Sequence, residues 1–588
     1  MKSKTVLATA AVSLAAILCS APAQAKDSRT YFTARMSQSP VPQQLSQAER
    51  ERYRSIFAAI NGQRWDEVQT LLAQDQGGLL KLVAEAEYFT HANSPRVELA
   101  QIESWFARGG RNLPQADQLA RIAMTRGAER APDTPYLTPL RQSRGFPRRD
   151  RPDTVYDPAM PAEIASAIQQ AISNDSPDSA RLLLDGVDAG LGPAARAEWR
   201  QKVAWSYFIE NRDAEALAMA RTVSGGSGAW VAEGEWVAGL AAWRLGDCNE
   251  AGEAFRRAAF GAINPELRSA SLYWGSRAAL RCRQPELAAQ LLNDAARADE
   301  TLYGMLAAEQ LGRETPDRYS QADLSRADWQ QISDLNNVRV ATALAEMGED
   351  TLASEILIHQ SRLGPSSHYA ALSRLARELS LPRTQLYMAY NAPSGSSGDP
   401  AAAYPAPRWM PATGWQVDPA LAYAHILQES AFRAEAVSPA SAQGLMQIMP
   451  IAVREHAPSL GMSSSGTDIF DPATNLAFGQ RHIMMLRDDP ATGGRLPKIM
   501  AAYNAGMTPV RRWNSEIKDQ GDPLLYMEAI PYWETRGYVA VVMRNYWNYE
   551  RQAGAASPSR VALAQNAWPL LGDGSGPNGR VYMSAGTR

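Results

Sequence analysis

The segment AAWRLGDCNEAGEAFRRA, residues 241–258, has the pattern of two helices joined by a tight turn at Gly246-Asp247. Apolar residues recur at intervals of three and four on both sides of that turn, which is the spacing of an amphipathic helix. The same rhythm occurs at 205–220 and at 277–296, so that successive turns lie about 35 residues apart. This period predicts helical hairpins that stack into a superhelix and bury their apolar faces on their neighbours.

The helical pattern extends from Gln47 to about Tyr390, a stretch rich in Ala, Leu, Glu, Gln and Arg without alternating strand patterns. Further hairpins are predicted at 53–72 and 341–358. The repeat is degenerate and resembles tetratricopeptide units without matching them closely. Aromatic residues at helical spacing indicate core packing, although a curved array could still offer a concave surface to a long polymer or to another protein. They include Trp205, Tyr207 and Trp236.

The chain has 588 residues, more than one hydrophobic core normally supports, so several domains are expected. Composition and periodicity divide it into an α-superhelical domain and a helical linker domain, then a Pro- and Gly-rich linker or loop, and then a second folded domain and a disordered tail. The predicted bounds are 26–330, 331–390, 391–408, 409–551 and 552–588.

Residues 1–25 have the basic start, short apolar run and Ala-Gln-Ala end of a secretory signal peptide, so the mature chain is expected to begin at Lys26. A membrane anchor is the alternative, but the run Val6–Leu18 is too short to span a bilayer comfortably. Lipidation at Cys19 is disfavoured because bulky residues precede it. No later segment has the length of a membrane span, which favours a soluble periplasmic protein.

The charge balance excludes one class of partner: 59 Lys and Arg against 62 Asp and Glu leave no basic surplus for binding nucleic acid. Of the cysteines, Cys248 and Cys282 remain after signal cleavage, and a disulfide and two buried free thiols are both open for them. The six histidines lack the spacing of metal ligands. No metal or cofactor is expected, since phosphate-binding and dinucleotide-binding motifs are also missing from the sequence.

One carboxyl group stands out in the second domain. Asp418-Pro419 is a typical helix start, and Leu421–Ile426 continue it as an apolar helix that brings Glu429 near its far end. Burial disfavours the charged form of a carboxyl group, so such a Glu can stay protonated long enough to act as a general acid. A glutamate at a helix end is more often simply solvated, and this position alone would be weak evidence.

The motifs around Glu429 decide the interpretation. Gln428-Glu429-Ser430 is followed by Ser438-Pro439, Gly444-Leu445-Met446-Gln447-Ile448-Met449-Pro450, Asp471-Pro472-Ala473-Thr474-Asn475-Leu476, Ala502-Tyr503-Asn504-Ala505-Gly506 and Ile530-Pro531-Tyr532-Trp533-Glu534-Thr535-Arg536-Gly537-Tyr538-Val539. In this order they closely resemble soluble lytic transglycosylases, densely over 415–551 and more loosely in the helical part, where Tyr303-Gly304-Met305-Leu306-Ala307 looks like a further family element. The resemblance implies an all-α protein, with a superhelix of stacked hairpins followed by a lysozyme-like α-rich catalytic domain.

The resemblance also implies site residues by matching motif positions: Glu429 as the catalytic acid and base, and five residues lining the sugar cleft. These are Ser438, Gln447, Met449, Tyr503 and Glu534. Simpler interpretations stay open for several of them. Ser438 could be a turn residue, Gln447 and Met449 could serve local packing, and Glu534 could pair with Arg536.

The implied reaction cuts the glycan strand of peptidoglycan between N-acetylmuramic acid and N-acetylglucosamine and leaves 1,6-anhydro ends. Two alternatives remain, a muramidase that uses water and a non-catalytic helical-repeat scaffold. Glycan strands are the expected partner, and cell-wall synthesis or division proteins are candidate partners. Exolytic or endolytic action, stem-peptide preference and oligomeric state are left undecided by the sequence.

Overall fold

The computed structural model of the chain describes residues 27–35, 41–143, 145, 147–313, 323–396 and 398–572, and the backbone of 582–583. These residues form α-helices joined by turns and loops, with two small two-stranded sheets. The all-α prediction is confirmed. The expected signal peptide, residues 1–25, lies outside the described residues.

The first half of the chain contributes helices that are mostly 7 to 17 residues long. In chain order they are α1 (Ser28–Ala34), α2 (Gln47–Asn61), α3 (Trp65–Gln74), α4 (Lys81–Thr90), α5 (Leu99–Ala107), α6 (Ala116–Thr125), α7 (Ala162–Ser173), α8 (Pro177–Asp185), α9 (Pro193–Ile209), α10 (Asp213–Arg221), α11 (Ala229–Leu245), α12 (Cys248–Gly261), α13 (Pro265–Arg281), α14 (Pro285–Ala295) and α15 (Leu302–Gln310).

The second half continues with helices and adds the paired strands. The helices are α16 (Arg326–Ile332), α17 (Asn336–Met347), α18 (Asp350–Leu363), α19 (Tyr369–Glu378), α20 (Pro382–Tyr390), α21 (Pro419–Glu429), α22 (Pro450–His456), α23 (Pro472–Asp488), α24 (Leu496–Ala505), α25 (Met507–Glu516), α26 (Pro523–Glu528), α27 (Trp533–Gln552) and α28 (Pro558–Ala564). The antiparallel strand pairs are β1 (Leu140–Gln142) with β2 (Asn391–Pro393), and β3 (Pro569–Leu570) with β4 (Tyr582–Met583).

The predicted hairpins are present, because α9–α10, α11–α12 and α13–α14 each turn within two or three residues and pack side by side. Tyr207 and Trp236 are buried in the core between them, as their spacing predicted, whereas Trp205 is only half-buried. Cys248 and Cys282 form a disulfide with Cα atoms 5.6 Å apart, which joins the start of α12 to the end of α13. The cysteines are therefore crosslinked rather than free.

Two large apolar cores hold the described residues together. One is built by α2–α6 together with α16–α20, although about 200 residues of sequence lie between these groups. The pairing of β1 with β2 also joins these two distant parts of the sequence. The other core runs without a break from the hairpins of α7–α15 into α21–α28, so the superhelix directly supports the last third of the chain. The predicted boundary at residue 330 stays a prediction.

Residues 391–408 form a packed loop rather than a solvated connection. Its backbone carbonyls at Pro405 and Pro407 accept hydrogen bonds of 2.7 Å from the hydroxyls of Tyr549 and Tyr423. Alanines 401–403 and Tyr404 are buried. The loop therefore fixes the approach of the chain to α21.

The tail expected to be disordered from 552 onward is ordered in its first part, and that prediction is wrong there. Residues 558–564 form α28, Leu563 is buried, and Ser559 accepts a hydrogen bond of 2.9 Å from the indole of Trp547. A few apolar residues suffice because α15 and α27 already offer a core to pack on. Residues 573–581 and 584–588 lie outside the described part. None of the helices that the structure describes combines the length and apolar character needed to cross a membrane.

Candidate active site

The helix that carries Glu429 begins as predicted. Asp418 is its N-cap and accepts a hydrogen bond of 2.9 Å from the amide of Ala420, and Pro419 occupies the first turn. Residues 419–426 are buried on all sides, because α23 and α27 pack against this helix. Glu429 is its last residue and is half-buried, so the carboxyl group emerges from the core at a rigid position.

The carboxyl group of Glu429 is held by a tyrosine of α27. Tyr538 donates a hydrogen bond of 2.6 Å to Oε1 of Glu429. Burial raises the pKa of Glu429 to about 7, the Tyr538 hydrogen bond opposes that shift, and the negative charge of Glu534 adds to it. At neutral pH both protonation states are therefore populated, which is what a group that first donates and later accepts a proton requires.

Directly after Glu429 the chain reverses through two strained residues. Ala431 and Phe432 have φ angles of 47° and 63°, a region that side chains other than glycine seldom occupy. The buried ring of Phe432 packs against Trp409 and Tyr423, which compensates for the strain. Backbone strain of this kind concentrates at functional sites, where surrounding packing maintains it.

A small hairpin over residues 436–448 follows Glu429 in the sequence. Bridges join Val437 to Gln443 and Gln443 to Ile448. The buried side chain of Asn475 holds the hairpin through two hydrogen bonds, accepting from the amide of Met446 at 2.8 Å and donating to the carbonyl of Gln443 at 3.1 Å, and it also donates to the carbonyl of Ile469. Gly444 has a φ of 77°, and a Cβ there would lie 2.0 Å from the Asn475 amide nitrogen. Glycine is thus required at this position.

Two predicted cleft residues belong to that hairpin and make backbone contacts. The hydroxyl of Ser438 accepts a hydrogen bond of 3.0 Å from the amide of Ala442, as the turn interpretation expected. The side-chain amide of Gln447 donates to the carbonyls of Ala436 and Gly444, and its φ of 49° is again left-handed. Both side chains remain partly exposed, so their roles toward a sugar stay predictions.

Tyr503 lies at the end of α24 and connects this helix to the hairpin. Its hydroxyl donates a hydrogen bond of 2.8 Å to the carbonyl of Met446. Burial raises the pKa of Tyr503, and the charge of Glu429 adds to this shift, which indicates that the two groups are near each other. Thr535 ties the same region to α27 through a hydrogen bond of 2.6 Å to Asn504. The structure thus brings Glu429, Tyr503 and Tyr538 together.

The remaining predicted residues are on the surface. Met449 is 40% exposed, and Glu534 is exposed in the first turn of α27. Arg536, the predicted ion-pair candidate for Glu534, instead donates to the carbonyls of Glu528 and Ile530 and lies over the ring of Trp205. Glu534 is close enough to raise the pKa of Glu429, which places its charge at the site.

Sequence reasoning missed Tyr538 and Asn475 as site residues. Tyr538 occurs in a quoted motif, but at helical spacing with Val539 and Val542 it resembles an ordinary core residue. Asn475 likewise lies within a helix, and only its hydrogen bonds reveal that it fixes the hairpin. A polar group at an otherwise apolar helix face was the available signal for both.

Three histidines pack near Tyr503: the rings of His425 and His482 contact Tyr503, and His456 contacts His482. Nδ1 of His425 donates to the carbonyl of Leu421 at 2.9 Å, and its ring is centred 4.7 Å from that of Tyr503. Nε2 of His456 and Nδ1 of His482 are 3.0 Å apart. Burial lowers the pKa of His425 and of His482 to about 4, so these rings are neutral at pH 7. In the described ranges no cluster of three or more His, Cys, Asp or Glu residues could hold a metal ion.

Known proteins resemble both the sequence around Glu429 and the overall fold. The family model described as "Transglycosylase SLT domain" matches residues 409–525. A soluble lytic murein transglycosylase of Escherichia coli (strain K12) is 36% identical over 157 residues, which are 26% of this chain and 24% of that protein. A putative soluble lytic murein transglycosylase of Haemophilus influenzae is 34% identical over 128 residues, 21% of each chain.

The fold similarity extends much further than the sequence similarity. The crystal structure of the 70 kDa soluble lytic transglycosylase of Escherichia coli aligns with a TM-score of 0.50 at 16% identity, over 88% of this chain and 99% of that one. In sequence the chain spans only about a quarter of the length of the curated relatives it matches. Residues 409–525 are thus similar to the transglycosylase SLT domain family, and the chain as a whole shares its fold with the soluble lytic transglycosylase of Escherichia coli.

Proposed function

We propose that the protein is a lytic transglycosylase that cleaves the β-1,4 bond between N-acetylmuramic acid and N-acetylglucosamine in peptidoglycan and leaves 1,6-anhydromuramic ends. The observation that carries the proposal is the carboxyl group of Glu429, which is half-buried, hydrogen-bonded to Tyr538 and has a pKa of about 7. The matching family model and the names of the relatives support the same chemistry.

In the first step Glu429 in its protonated form gives its proton to the glycosidic oxygen as the bond to C1 of the muramic acid breaks. Tyr538 occupies Oε1, which leaves Oε2 of the carboxyl group for the substrate. The N-acetyl group of the substrate stabilises the positive charge that develops at C1. A nucleophile from the protein is therefore dispensable.

In the second step Glu429 acts as a carboxylate and removes the proton from the C6 hydroxyl of the same muramic acid residue. The C6 oxygen attacks C1 and closes the anhydro ring, so the proton that Glu429 gave away is replaced and no water is consumed. Because the attacking hydroxyl is tethered to the reacting sugar, positioning supplies much of the rate.

The side chains around Glu429 are proposed to hold the sugars. Ser438 and Gln447 offer hydrogen-bonding groups next to a hairpin that Asn475 keeps rigid. Met449 offers an exposed apolar surface, Tyr503 an aromatic face, and Glu534 a second charge. A rigid cleft lowers the cost of ordering a flexible glycan strand.

The substrate also bears on location and partners. Peptidoglycan lies outside the cytoplasmic membrane, and the signal-peptide pattern of residues 1–25 together with the disulfide between Cys248 and Cys282 favours a periplasmic protein. Proteins of cell-wall synthesis or division are proposed partners, because cleavage of the wall has to be coordinated with its growth.

Mass spectrometry of the products from purified peptidoglycan tests the proposal. The unmodified protein should release muropeptides with 1,6-anhydro ends, and Glu429→Gln should lose activity by a factor of about 1000 or more, because both proton transfers disappear. Glu253→Gln is a matched control, since Glu253 is a largely exposed residue on the distant helix α12. Full activity of Glu429→Gln would remove this group from the reaction.

A hydrolytic muramidase is the second candidate, because the charge of Glu534 acts on Glu429 and two carboxyl groups are what ordinary glycosidases use. The same product analysis separates the two reactions. Reducing ends throughout, with incorporation of one solvent oxygen per cut, would establish hydrolysis. An inert protein that still binds glycan strands would support the scaffold alternative instead.

A further inference from the structure

A large cavity lies between the superhelix and the last third of the chain, apart from the residues around Glu429. Its volume is about 790 Å³. One side is formed by α7, α9 and Trp230 of α11, and the other by α25 and the segment Pro531–Arg536. A cavity of this size can enclose a ligand of several rings.

The walls of the cavity combine aromatic rings with hydrogen-bonding groups. Trp205 departs from the core packing that its spacing predicted and borders the cavity, as do Trp533 and the 45% exposed Tyr532. Gln201 and Ser206 lie on the same side as Trp205. Flat apolar faces next to neutral polar groups suit a sugar ring, which has an apolar face and hydroxyls or amides at its edge.

The cavity carries charges of both signs in different places. The carboxylates that line it, Asp175, Glu210 and Glu516, lie near Arg512, whereas Arg151 and Arg536 lie at Trp533. The guanidinium of Arg536 lies between two rings, 4.1 Å from the centre of Trp205 and 4.8 Å from that of Trp533. Arg151 lies 5.9 Å from the centre of Trp533. In the part of the chain that the structure describes, neither guanidinium has a carboxylate within ion-pair distance, and Arg536 donates only to backbone carbonyls.

The two carboxylates whose charges act on Arg536 are already engaged. Glu233 and Glu528 both pair with Arg149, at 2.7 and 3.5 Å. Burial lowers the pKa of Arg536 to about 9, the charge of Arg149 adds to this shift, and the charges of Glu528 and Glu233 oppose it. A carboxylate that enters the cavity beside Trp533 would find two arginines that pair with no carboxylate among the described residues.

Residues that border the cavity and residues of the proposed cleft are neighbours in the sequence at the start of α27. Tyr532 and Trp533 border the cavity, Glu534 follows directly and influences Glu429, and Tyr538 one turn later binds Glu429. Trp533 and Glu534 are consecutive residues of α27, so their side chains leave the helix about 100° apart. One helix therefore contributes side chains to both sites, and a strand that passes this helix can occupy both.

We propose that this cavity is a second saccharide-binding site, which takes an N-acetylated saccharide carrying a carboxylate from a part of the strand that is not being cut. Trp533 and Tyr532 contact the sugar rings, and Arg151 and Arg536 receive the carboxylate. The identification of the ligand as a peptidoglycan strand rests on the proposed function. The carboxylate is that of the lactyl group or of a stem peptide.

Calorimetric titration of the full chain carrying Glu429→Gln, which prevents turnover, tests the site. The probes are an alternating N-acetylglucosamine and N-acetylmuramic acid tetrasaccharide, with and without stem peptides, and chitotetraose, which has no carboxylate. Adding Arg151→Gln should weaken the carboxylate-bearing probes about tenfold and leave chitotetraose unchanged. Arg151 is exposed, so this change should not disturb folding. Arg256→Gln, on an exposed face of α12, is the control.

Comparison of the two muramic acid probes identifies which carboxylate is bound. Unchanged affinity for both in Arg151→Gln and in Arg536→Lys would overturn the proposal, as would an equal loss for chitotetraose. The product analysis of the unmodified protein is read separately. Anhydro products without an arginine effect would reject the second site alone, and an arginine effect without anhydro products would reject the lytic reaction alone.

Discussion

Tyr538 and Glu429 are 109 residues apart in sequence, yet their side chains share a hydrogen bond of 2.6 Å at the end of the buried helix α21. The tyrosine donates, so it stabilises the charged form of the carboxyl group. Burial and Glu534 act in the opposite direction. The pKa of about 7 is the balance of these three influences, and each can be changed separately.

Tyr538→Phe removes the donor while keeping the aromatic ring. The pKa of Glu429 should rise, because its charged form loses a hydrogen bond, and the alkaline limb of kcat/KM should move to higher pH. The rate should also fall, by a factor of about 10 to 100, since the carboxyl group is less well oriented. A pH profile measured with soluble glycan strands checks both. An alkaline limb that stays in place would mean that Tyr538 does not contact Glu429 in the active protein.

Glu534→Gln should shift the same limb in the opposite direction. Removal of the negative charge lowers the pKa of Glu429, so the protonated form that starts the reaction is lost at lower pH. High salt should weaken the effect, because Glu534 is exposed to solvent. The profile is measured at low and at high ionic strength. If Glu534→Gln abolished cleavage at every pH, the result would indicate that Glu534 takes part directly in the reaction, as a second carboxyl group does in a muramidase.

Much of the site was predictable from local sequence. The helix start at Asp418-Pro419 and the apolar run after it place Glu429 at a helix end, and the structure agrees. Local pattern does not reveal which residues meet across long separations. Tyr538, Asn475 and the strained pair Ala431-Phe432 matter only because of contacts made by the folded chain.

The fold shows the same limit. Periodicity predicted the hairpins, but it gave no sign that α2–α6 and α16–α20 share one apolar core. Trp205 and Tyr207 have the same helical spacing signal, and only Tyr207 is fully buried. Composition also gave no indication of the short helix α28, because its few apolar residues pack on neighbours that are distant in sequence.

Glu429→Gln should stabilise the protein as well as inactivate it. In the folded state the pKa of Glu429 is about 7, above its ordinary value of 4.5, so the unfolded chain ionises more readily. The stability that the protonated carboxyl contributes is present below pH 4.5 and is lost as pH rises through 7. The gain from the glutamine should thus be small at pH 4.5 and on the order of 2 kcal/mol at pH 8.

Thermal melting of the two proteins at both pH values is the measurement. The difference in Tm should grow with pH, whereas Glu253→Gln, on the surface of the superhelix, should show no such trend. A difference in Tm that is the same at both pH values would mean that burial does not raise the pKa of Glu429.

Gly444→Ala should damage the hairpin beside the site. The added Cβ would lie 2.0 Å from the amide nitrogen of Asn475 at a φ of 77°, so the hairpin has to move or Asn475 has to give up its contacts. We expect a loss of about 2 kcal/mol in stability and of most activity. Gly461→Ala is a matched control, with a φ of 65° and open space around it, so it carries the backbone cost alone. Equal effects of the two changes would remove the role assigned to Asn475.

Loss of the disulfide should destabilise the superhelix without touching the chemistry. Cys248 and Cys282 close a loop of 34 residues, which corresponds to about 4 kcal/mol from the restricted unfolded chain. Cys248→Ser with Cys282→Ser, or treatment with a reductant, should therefore lower the unfolding temperature of the full chain. At 25 °C kcat should be unchanged, because Cys282 lies at the end of α13 opposite to Pro265, the end that borders the same cavity as Leu427, and α12 and α13 remain packed on each other. A fall in kcat under these conditions would instead show that the disulfide affects the conformation of the active site, through the apolar core that the superhelix and the last third of the chain share.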